Sequence, residues 1–264
     1  MKPEPELPPQ HVCAAFGVRQ AELEPLTGDG GRLWRAGHLV LKPVADTAEA
    51  AWIAQTLDTI EVDAVRLARP LRSSDGRWVV SGWTAVRHVA GWTQPRHDEM
   101  LAVSLRLHQA TASLSRPRFL THRTHRYAIA DRIAWGELNR EAGALFDEFA
   151  GRRQPVGLRS QIVHGDLFGD VLFAGGAPPA VIGFSPYWRP PEWAAAVIVV
   201  DALACGGADT GLVDRWAHLP EWPQSLLRAL LFRLAVHALN THPHSNGESF
   251  AGLERAADAV RALF

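Results

Sequence analysis

The chain has 264 residues, of which 47% are hydrophobic and 21% are charged, and its net charge is -1 at pH 7. This length suits one large domain or two lobes with a sizeable core, and the composition is that of a soluble globular protein. The balanced charge favours neither a nucleic-acid partner nor an acidic disordered arm.

Cysteine usage and hydropathy indicate the compartment in which we expect the protein. Two cysteines, Cys13 and Cys205, are too few for a disulfide framework, which fits a reducing compartment. The first ten residues, MKPEPELPPQ, lack the apolar core of a signal peptide. The most apolar run, residues 194–204, is too short to span a bilayer and contains Asp201. We therefore expect a cytoplasmic protein with no membrane partner.

Mainly β structure is predicted for the first 90 residues, after a Pro- and Glu-rich tail at residues 1–10. A short helix is expected at residues 12–16, followed by strands at 23–26, 33–35 and 39–42. Between the first two strands lies a glycine-rich turn, residues 27–32, which contains Gly28, Gly30 and Gly31. Glycines in such a turn let backbone N–H groups approach phosphate oxygens.

The third strand ends in Lys42, which is one of only two lysines among the 27 basic residues. A compact ammonium behind a glycine-rich turn is suited to pairing with phosphate groups. The alternative is an ordinary hairpin with a flexible turn and a chance surface lysine.

The rest of this region predicts one helix and three strands. The helix covers residues 46–57, with N-cap candidates at Ala45–Thr47 and Glu49 in its first turn. The strands cover residues 65–71, 77–80 and 83–89, and Ser73–Gly76 is a hairpin turn between the first two.

From Asp98 onward, apolar residues recur with the spacing of an α-helix. The first helix ends near His108, which we expect to be a packed or capping histidine. Residues 121–126, THRTHR, lack cysteine or acidic partners, so we expect a solvated basic loop, able to contact an anionic substrate, instead of a metal site. Further helices are predicted at residues 127–137, 141–150, 194–204, 225–239 and 253–264.

The most informative stretch is residues 161–184, QIVHGDLFGDVLFAGGAPPAVIGF. Apolar residues lead into His164-Gly165-Asp166, and a short polar turn containing Asp170 follows. Two short strands, around residues 171–173 and 180–182, are joined by a Gly/Pro-rich turn. Polar groups on a loop held by rigid apolar strands commonly form an active site.

This stretch resembles the catalytic region of the aminoglycoside phosphotransferase/choline kinase-like family, relatives of protein kinases. The continuation SPYWRPPEW, residues 185–193, looks like an actinobacterial-type branch of that family. The family pattern is H-G-D, an Asn a few residues later, a short hairpin and I-D-F. The resemblance implies an α+β bilobal fold, with a small mainly antiparallel β lobe at residues 1–90 and a larger helical lobe with the catalytic loop at residues 91–264.

The resemblance also implies residue roles. Asp166, with His164 in the same motif, would be catalytic and accept the proton of a substrate hydroxyl. Asp170 falls at the position of the metal-binding Asn, and Gly183 falls where the metal-binding Asp belongs, so both positions depart from the pattern. An aspartate such as Asp201 would brace the catalytic loop.

The nucleotide-binding roles fall in the first lobe. The strand–glycine turn–strand–lysine layout resembles the phosphate-covering loop of kinases, with Lys42 on the phosphates. Glu49 is the candidate partner of Lys42, although a first-turn acid also favours the helix dipole without any partner. The backbone near Arg87 and Val89 would meet adenine.

Two hypotheses follow. The first is a phosphotransferase that uses ATP or another nucleoside triphosphate and Mg²⁺, acts on a hydroxyl of a small molecule or of a peptide Ser/Thr, and has a rearranged metal site centred on Asp170. The second is a pseudokinase that binds nucleotide, peptide or a protein partner without catalysis, because Gly183 offers no side-chain oxygen. Trp188 and Trp193 are candidates for an aromatic substrate wall or for core packing.

Overall fold

In a computed structural model of the chain, residues 7–26, 33–240 and 250–264 are described. They form an α+β fold of two compact units. The first unit holds the described residues up to Trp92 together with Leu172–Gly183. The second unit holds Thr93–Val171 and the described residues from Phe184 onward.

The elements follow one another along the chain in two stretches. Up to Trp92 they are α1 (Gln10–Ala15), β1 (Glu24–Leu26), β2 (Leu33–Ala36), β3 (Leu39–Pro43), α2 (Thr47–Thr59), β4 (Arg66–Leu67), β5 (Pro70–Leu71), β6 (Val79–Val80) and β7 (Trp83–Arg87), with a 3-10 turn at Gln20–Glu22. Beyond it are α3 (His97–Thr111), a 3-10 turn at Arg118–Thr121, α4 (Arg126–Ala134), α5 (Ala144–Ala150), β8 (Gln161–His164), β9 (Val171–Ala174), β10 (Ala177–Val181), β11 (Pro186–Arg189), α6 (Pro191–Ala204), α7 (Gly211–Arg215), α8 (Trp222–Ala238) and α9 (Phe250–Arg261).

A six-stranded antiparallel sheet forms the body of the first unit. Its order is β1-β2-β3-β7-β5, and β6 also pairs with β7. Leu39 and Leu41 of β3 and Ala85 of β7 are buried, and α1 adds Val12 and Cys13 to the same cluster. Apolar residues that alternate along β3 therefore place one face of the sheet in a core.

The predicted helix at residues 46–57 is confirmed as α2. Asp46 is its N-cap, and the carboxylate accepts hydrogen bonds from the backbone N–H groups of Ala48 and Glu49 at 2.9 and 3.0 Å. This cap satisfies two of the N–H groups that a helix start leaves without an intrahelical partner.

The single strand predicted at residues 65–71 is wrong, because the chain there changes sheets. Its first half is β4, which pairs in parallel with β10, and the next residue continues this pairing through Ala68 N–H to Val181 C=O at 2.9 Å. Its second half is β5, which pairs with β7. Pro70 lies at the start of β5, where its fixed φ and missing N–H favour a break in strand pairing.

Helices α6 and α8 form the core of the second unit. All residues of α6 from Trp193 to Ala204 are buried, and most of α8 is buried as well. Trp193, Phe232 and Tyr187 pack edge to face, with ring centroids 5.5–6.0 Å apart. Trp193 is therefore a core residue, as one of the two interpretations of this tryptophan predicted.

A two-stranded antiparallel sheet, β8 with β11, lies in the same unit. Its register pairs His164 with Pro186, Val163 with Tyr187 and Gln161 with Arg189. The strand β11 was not predicted. Its pairing with β8 holds residues 186–189 beside the strand that leads into the His-Gly-Asp motif.

None of the helices in the described part of the chain is long and apolar enough to cross a membrane. Neither cysteine forms a disulfide with another described residue, and Cys13 is buried whereas Cys205 is exposed.

Candidate functional site

The His-Gly-Asp motif begins at the end of β8, and its histidine organises the loop. The ring of His164 is fully buried. Its Nδ1 atom accepts a hydrogen bond from the backbone N–H of Asp166 at 3.1 Å, and its Nε2 atom lies 3.3 Å from Oδ2 of Asp170. Since Nδ1 is an acceptor, the ring proton is on Nε2 and points to Asp170. His164 thus holds both acidic residues of the loop.

A second histidine, His108 on α3, bonds to the backbone of the first. Its Nε2 atom accepts a hydrogen bond from the backbone N–H of His164 at 2.9 Å, and its Nδ1 atom lies 3.3 Å from Oγ of Ser104. Burial, with a smaller contribution from the neighbouring His164, lowers the pKa of His108 to about 3. The ring is therefore neutral at pH 7 and keeps the lone pair that the contact requires. His108 is packed, as predicted, but its bond to the His-Gly-Asp loop was not anticipated.

Gly165 has no room for a side chain. A Cβ atom there would lie 2.7 Å from Cε2 of Tyr187 and 3.1 Å from Cη2 of Trp193. Its backbone N–H donates to the carbonyl of Ser185 at 3.0 Å. The glycine of the motif is therefore required by close packing of β11 and α6 against the loop, and its neighbour Asp166 is positioned by that packing.

The carboxylate of Asp166 is held by Arg233 of α8. A terminal nitrogen of Arg233 donates to Oδ1 of Asp166 at 2.7 Å, while Nε of the same guanidinium donates to Oδ1 of Asp201 at 2.6 Å. The terminal nitrogen also bonds Oδ2 of Asp201. Arg233 and Asp201 are almost fully buried, whereas the Asp166 side chain is about half exposed (48%). Asp201 therefore supports the His-Gly-Asp loop, and it does so through Arg233.

This arrangement fixes the protonation state of Asp166. Burial raises the pKa of its carboxyl, but the charge and hydrogen bond of Arg233, aided by His164, outweigh burial and hold the pKa below its usual value. Among the hydrogen bonds of the described residues, none reaches Oδ2 of Asp166. Asp166 is thus ionised at pH 7 with one oxygen anchored and the other open to a donor such as a hydroxyl group.

Arg233 was missed because the sequence shows it only as one charge in an amphipathic helix. The signal was present: Arg228 and Arg233 fall at buried positions of α8. A charge in a buried face requires a partner, and Asp201, a lone acid in the apolar run of α6, is the matching one.

The region does not reproduce the metal-binding Asn and Asp of the family pattern, because Asp170 and Gly183 stand at those two positions. Asp170 is part-exposed, and its Oδ2 atom faces His164. Gly183, the last residue of the first unit, has no side-chain oxygen. In residues 7–26, 33–240 and 250–264, no group of three or more His, Cys, Asp or Glu side chains is arranged to hold a metal ion. A hard cation such as Mg²⁺ needs several oxygen ligands, and Asp170 alone does not supply them.

The proposed nucleotide-binding residues lie in the first unit. Lys42 is on β3 opposite Thr84 of β7, and its side chain is exposed. Glu49 lies in the first turn of α2, and the ion pairs between described residues include none that joins it to Lys42. Their pairing therefore stays a prediction. The glycines of the predicted phosphate loop, Gly28, Gly30 and Gly31, lie outside the described residues.

The segment predicted to meet adenine follows β7. The backbone N–H of Arg87 donates to the carbonyl of Arg69 at 2.7 Å, and that of His88 donates to the carbonyl of His38 at 2.8 Å. Val89 is the next residue, and its backbone makes no hydrogen bond among the described residues. If this segment binds a base, Val89 is the residue whose N–H and C=O are available for it.

The fold matches solved structures of phosphotransferases. A thermostable mutant of aminoglycoside phosphotransferase APH(4)-Ia, in a ternary complex with AMP-PNP and hygromycin B, matches with a TM-score of 0.58 and 17% identity over 96% of both chains. Choline kinase LicA from Streptococcus pneumoniae matches with a TM-score of 0.53 and 10% identity over 91% of this chain and 93% of that one. No protein-family model and no curated protein sequence matches the chain. The α+β kinase-like fold that the motif implied is therefore confirmed.

Proposed function

We propose that this chain transfers the γ-phosphoryl group of ATP, or of another nucleoside triphosphate, to a hydroxyl group of a small molecule. The observation that carries this proposal is the state of Asp166. It is ionised, anchored through Oδ1 by Arg233, and open at Oδ2, at the end of a buried strand in a fold that phosphotransferases also adopt.

The step assigned to Asp166 is proton acceptance. The acceptor hydroxyl oxygen forms a bond to the γ-phosphorus, the bond from that phosphorus to the bridging oxygen breaks, and the nucleoside diphosphate leaves with the electron pair. The hydroxyl proton passes to Oδ2 of Asp166. Arg233 keeps the carboxylate in place and ionised before the step, since its buried guanidinium is itself held by Asp201.

The nucleotide is assigned to the first unit. Lys42 would neutralise part of the phosphate charge, and Glu49 would orient Lys42. The backbone groups of Val89, two residues after Arg87, would bind the base, since no hydrogen bond from another described residue occupies them. Where magnesium takes part, it would bring its usual neutralisation of phosphate charge, and Asp170 is the one carboxylate of the predicted position that remains to contact it.

Small-molecule acceptors are the first choice because the structures that share this fold act on such molecules by name: an aminoglycoside phosphotransferase and a choline kinase. A peptide serine or threonine is the second acceptor class to test.

The test is phosphoryl transfer from γ-labelled ATP to pools of small hydroxyl compounds and to a Ser/Thr peptide library. We expect labelled product with the wild-type chain and its loss in Asp166→Asn, while ATP affinity stays within about threefold because the loss concerns the proton acceptor only. Asp63→Asn is the matched control, since Asp63 is an exposed carboxylate of the first unit. Transfer that survives in Asp166→Asn would refute the role of Asp166.

A pseudokinase is the second candidate, and two observations favour it. Gly183 has no side-chain oxygen, and Asp170 faces His164. Thermal unfolding with ATP, with and without Mg²⁺, separates the candidates. A ligand at about 100 times its dissociation constant stabilises by about 2.7 kcal/mol, which raises the midpoint of a chain this size by several degrees. A Mg²⁺-dependent shift together with labelled product supports the transferase, and a Mg²⁺-independent shift without product supports the pseudokinase.

A further inference from the structure

A cavity of about 510 Å³ lies within the second unit, beside β11. Its walls come from the 3-10 turn at Arg118–Thr121 and the residues around it, from α4 and its C-terminal turn, and from β11. Charged and polar side chains dominate the lining. Those that matter for the argument are Arg116, Arg123, Arg132, Arg189, Asp131 and Glu137.

The lining has an excess of two positive charges, because four arginines face two acids. Arg189 is already used: its Nε and a terminal nitrogen donate to Asp131 at 2.9 and 2.8 Å, and its other terminal nitrogen donates to Glu137 at 2.6 Å. Both acids therefore bond the same arginine, and the other three arginines lie within electrostatic range of these acids. The lining as a whole keeps its excess of positive charge.

Arg116 and Arg132 are the available cations. Within the described part of the chain, their guanidinium groups form no hydrogen bond and no ion pair, and both side chains are exposed at the cavity. Arg123 is held in place, since a terminal nitrogen donates to the carbonyl of Pro186 at 2.5 Å and its guanidinium lies 5.7 Å from the ring centroid of Tyr187. One fixed and two available guanidinium groups around a cavity are suited to carboxylate or phosphate.

The cavity adjoins the catalytic loop. Tyr187 lines the cavity and its ring packs on Gly165, the residue before Asp166. Pro186, whose carbonyl holds Arg123, pairs with His164 in the β8–β11 sheet. Burial, and then the carboxylates of the cavity residue Asp131 and of Asp166, raise the pKa of Tyr187, so both carboxylates lie near this one side chain.

We propose that this cavity binds a carboxylate or phosphate group of the acceptor, so that the substrate is an anionic hydroxyl compound. This proposal rests on the proposed transferase function and names the substrate class for the same loop. The anionic group is recognised by Arg116, Arg123 and Arg132, and its hydroxyl is presented to Asp166.

Calorimetric binding at constant ionic strength tests the cavity without any turnover. The probes are glycerol 3-phosphate against glycerol, gluconate against sorbitol, and inorganic phosphate alone. We expect glycerol 3-phosphate or gluconate to bind at least tenfold more tightly than its uncharged counterpart. Tighter glycerol 3-phosphate identifies phosphate as the preferred group, and tighter gluconate identifies carboxylate.

The paired variants are Arg116→Gln/Arg132→Gln and the control Arg118→Gln, an exposed arginine of the adjoining turn that does not line the cavity. Loss of one charged hydrogen bond weakens binding by about tenfold, so the double variant should bind the preferred anion roughly a hundredfold more weakly. Absence of saturable binding by all three anions overturns the proposal, as does unchanged affinity in the double variant.

The transfer assay separates this proposal from the proposed function. Anion binding that depends on Arg116 and Arg132 without any labelled product supports the cavity as an anion site and counts against the transferase. Labelled product from uncharged alcohols, with a kcat/KM that the double variant does not change, supports the transferase and overturns the anionic acceptor.

Discussion

Arg233 is the residue whose replacement tests the organisation of the loop most directly. In Arg233→Met, the buried Asp201 carboxylate loses its partner, and Asp166 loses the hydrogen bond to Oδ1. Removing one member of a buried ion pair costs about 3–5 kcal/mol, because the remaining charge is left without compensation in a low-dielectric interior. For a chain of this size that lowers the unfolding midpoint by roughly 6–20 °C.

The double variant Arg233→Met/Asp201→Leu separates stability from the state of Asp166. Replacing both members of a buried pair by apolar residues of similar volume is often neutral or stabilising, so we expect most of the lost stability to return. The pKa of Asp166 should nevertheless rise, because burial raises it and Arg233 no longer opposes burial. Carbon-detected NMR of the carboxyl group measures that pKa, and differential scanning calorimetry measures the midpoint.

The control is Arg261→Met, since Arg261 is a part-exposed arginine that also bonds two carboxylates, Glu148 and Asp258. Ion pairs of that kind contribute about 0–1 kcal/mol. A single Arg233→Met variant whose stability lies within that range of the wild type would refute the importance of the buried Arg233–Asp201 pair. So would a double variant that is as unstable as the single one.

Three further predictions concern the loop and its surroundings. The pKa of His108 is about 3 in the folded chain and near 6.5 in the unfolded chain, so the unfolded chain binds more protons between these two values. The free energy of unfolding should therefore fall as the pH drops below 6.5, by up to about 1.4 kcal/mol per pH unit. A stability–pH curve of His108→Gln should lack this slope, whereas that of His122→Gln should keep it. Gly165→Ala should lower stability by about 1–3 kcal/mol through overpacking against Tyr187, and an unchanged melting curve would contradict the packing argument. Gly183→Asp should strengthen Mg²⁺-dependent nucleotide binding, and equal affinity in a nucleotide titration would count against placing Gly183 at the metal position.

Local patterns predicted most of the secondary structure. The apolar runs at residues 162–163, 171–173 and 180–182 became β8, β9 and β10, and helix periods predicted α2 and α3 to within a few residues. What failed depended on contacts distant in sequence. The stretch at residues 65–71 divides because β4 pairs with β10, more than 100 residues later, and no local signal reports such a pairing.

β11 was missed for a different reason. Its sequence, Pro186-Tyr187-Trp188-Arg189, begins with a proline and is followed by two more, which local rules assign to loops. Pairing with β8 overrides that preference, because Pro186 stands at the strand end where no N–H is required.

The sequence predicted the His-Gly-Asp motif of the candidate site, but it did not predict the residues that support this motif. His164, Asp166 and Asp170 meet in one loop of the structure, as their spacing suggested. Arg233 and His108 come from helices 60–70 and about 56 residues away along the chain, and each looked like an ordinary member of an amphipathic helix. The basic cavity is assembled from four separate stretches, so no single stretch predicted it beyond the basic run at residues 121–126.

The triad of Arg233, Asp201 and Asp166 bears on the choice between transferase and pseudokinase. An apolar pair in place of Arg233 and Asp201 would hold α8 against α6 at least as firmly, so stability alone does not account for two buried charges. What an apolar pair cannot supply is the hydrogen bond that fixes one oxygen of the ionised Asp166 and leaves the other open. A binding module has no use for that state, whereas a proton acceptor requires it. The altered position at Gly183 concerns the neutralisation of phosphate charge, which is a separate requirement from proton acceptance. The triad therefore favours the transferase.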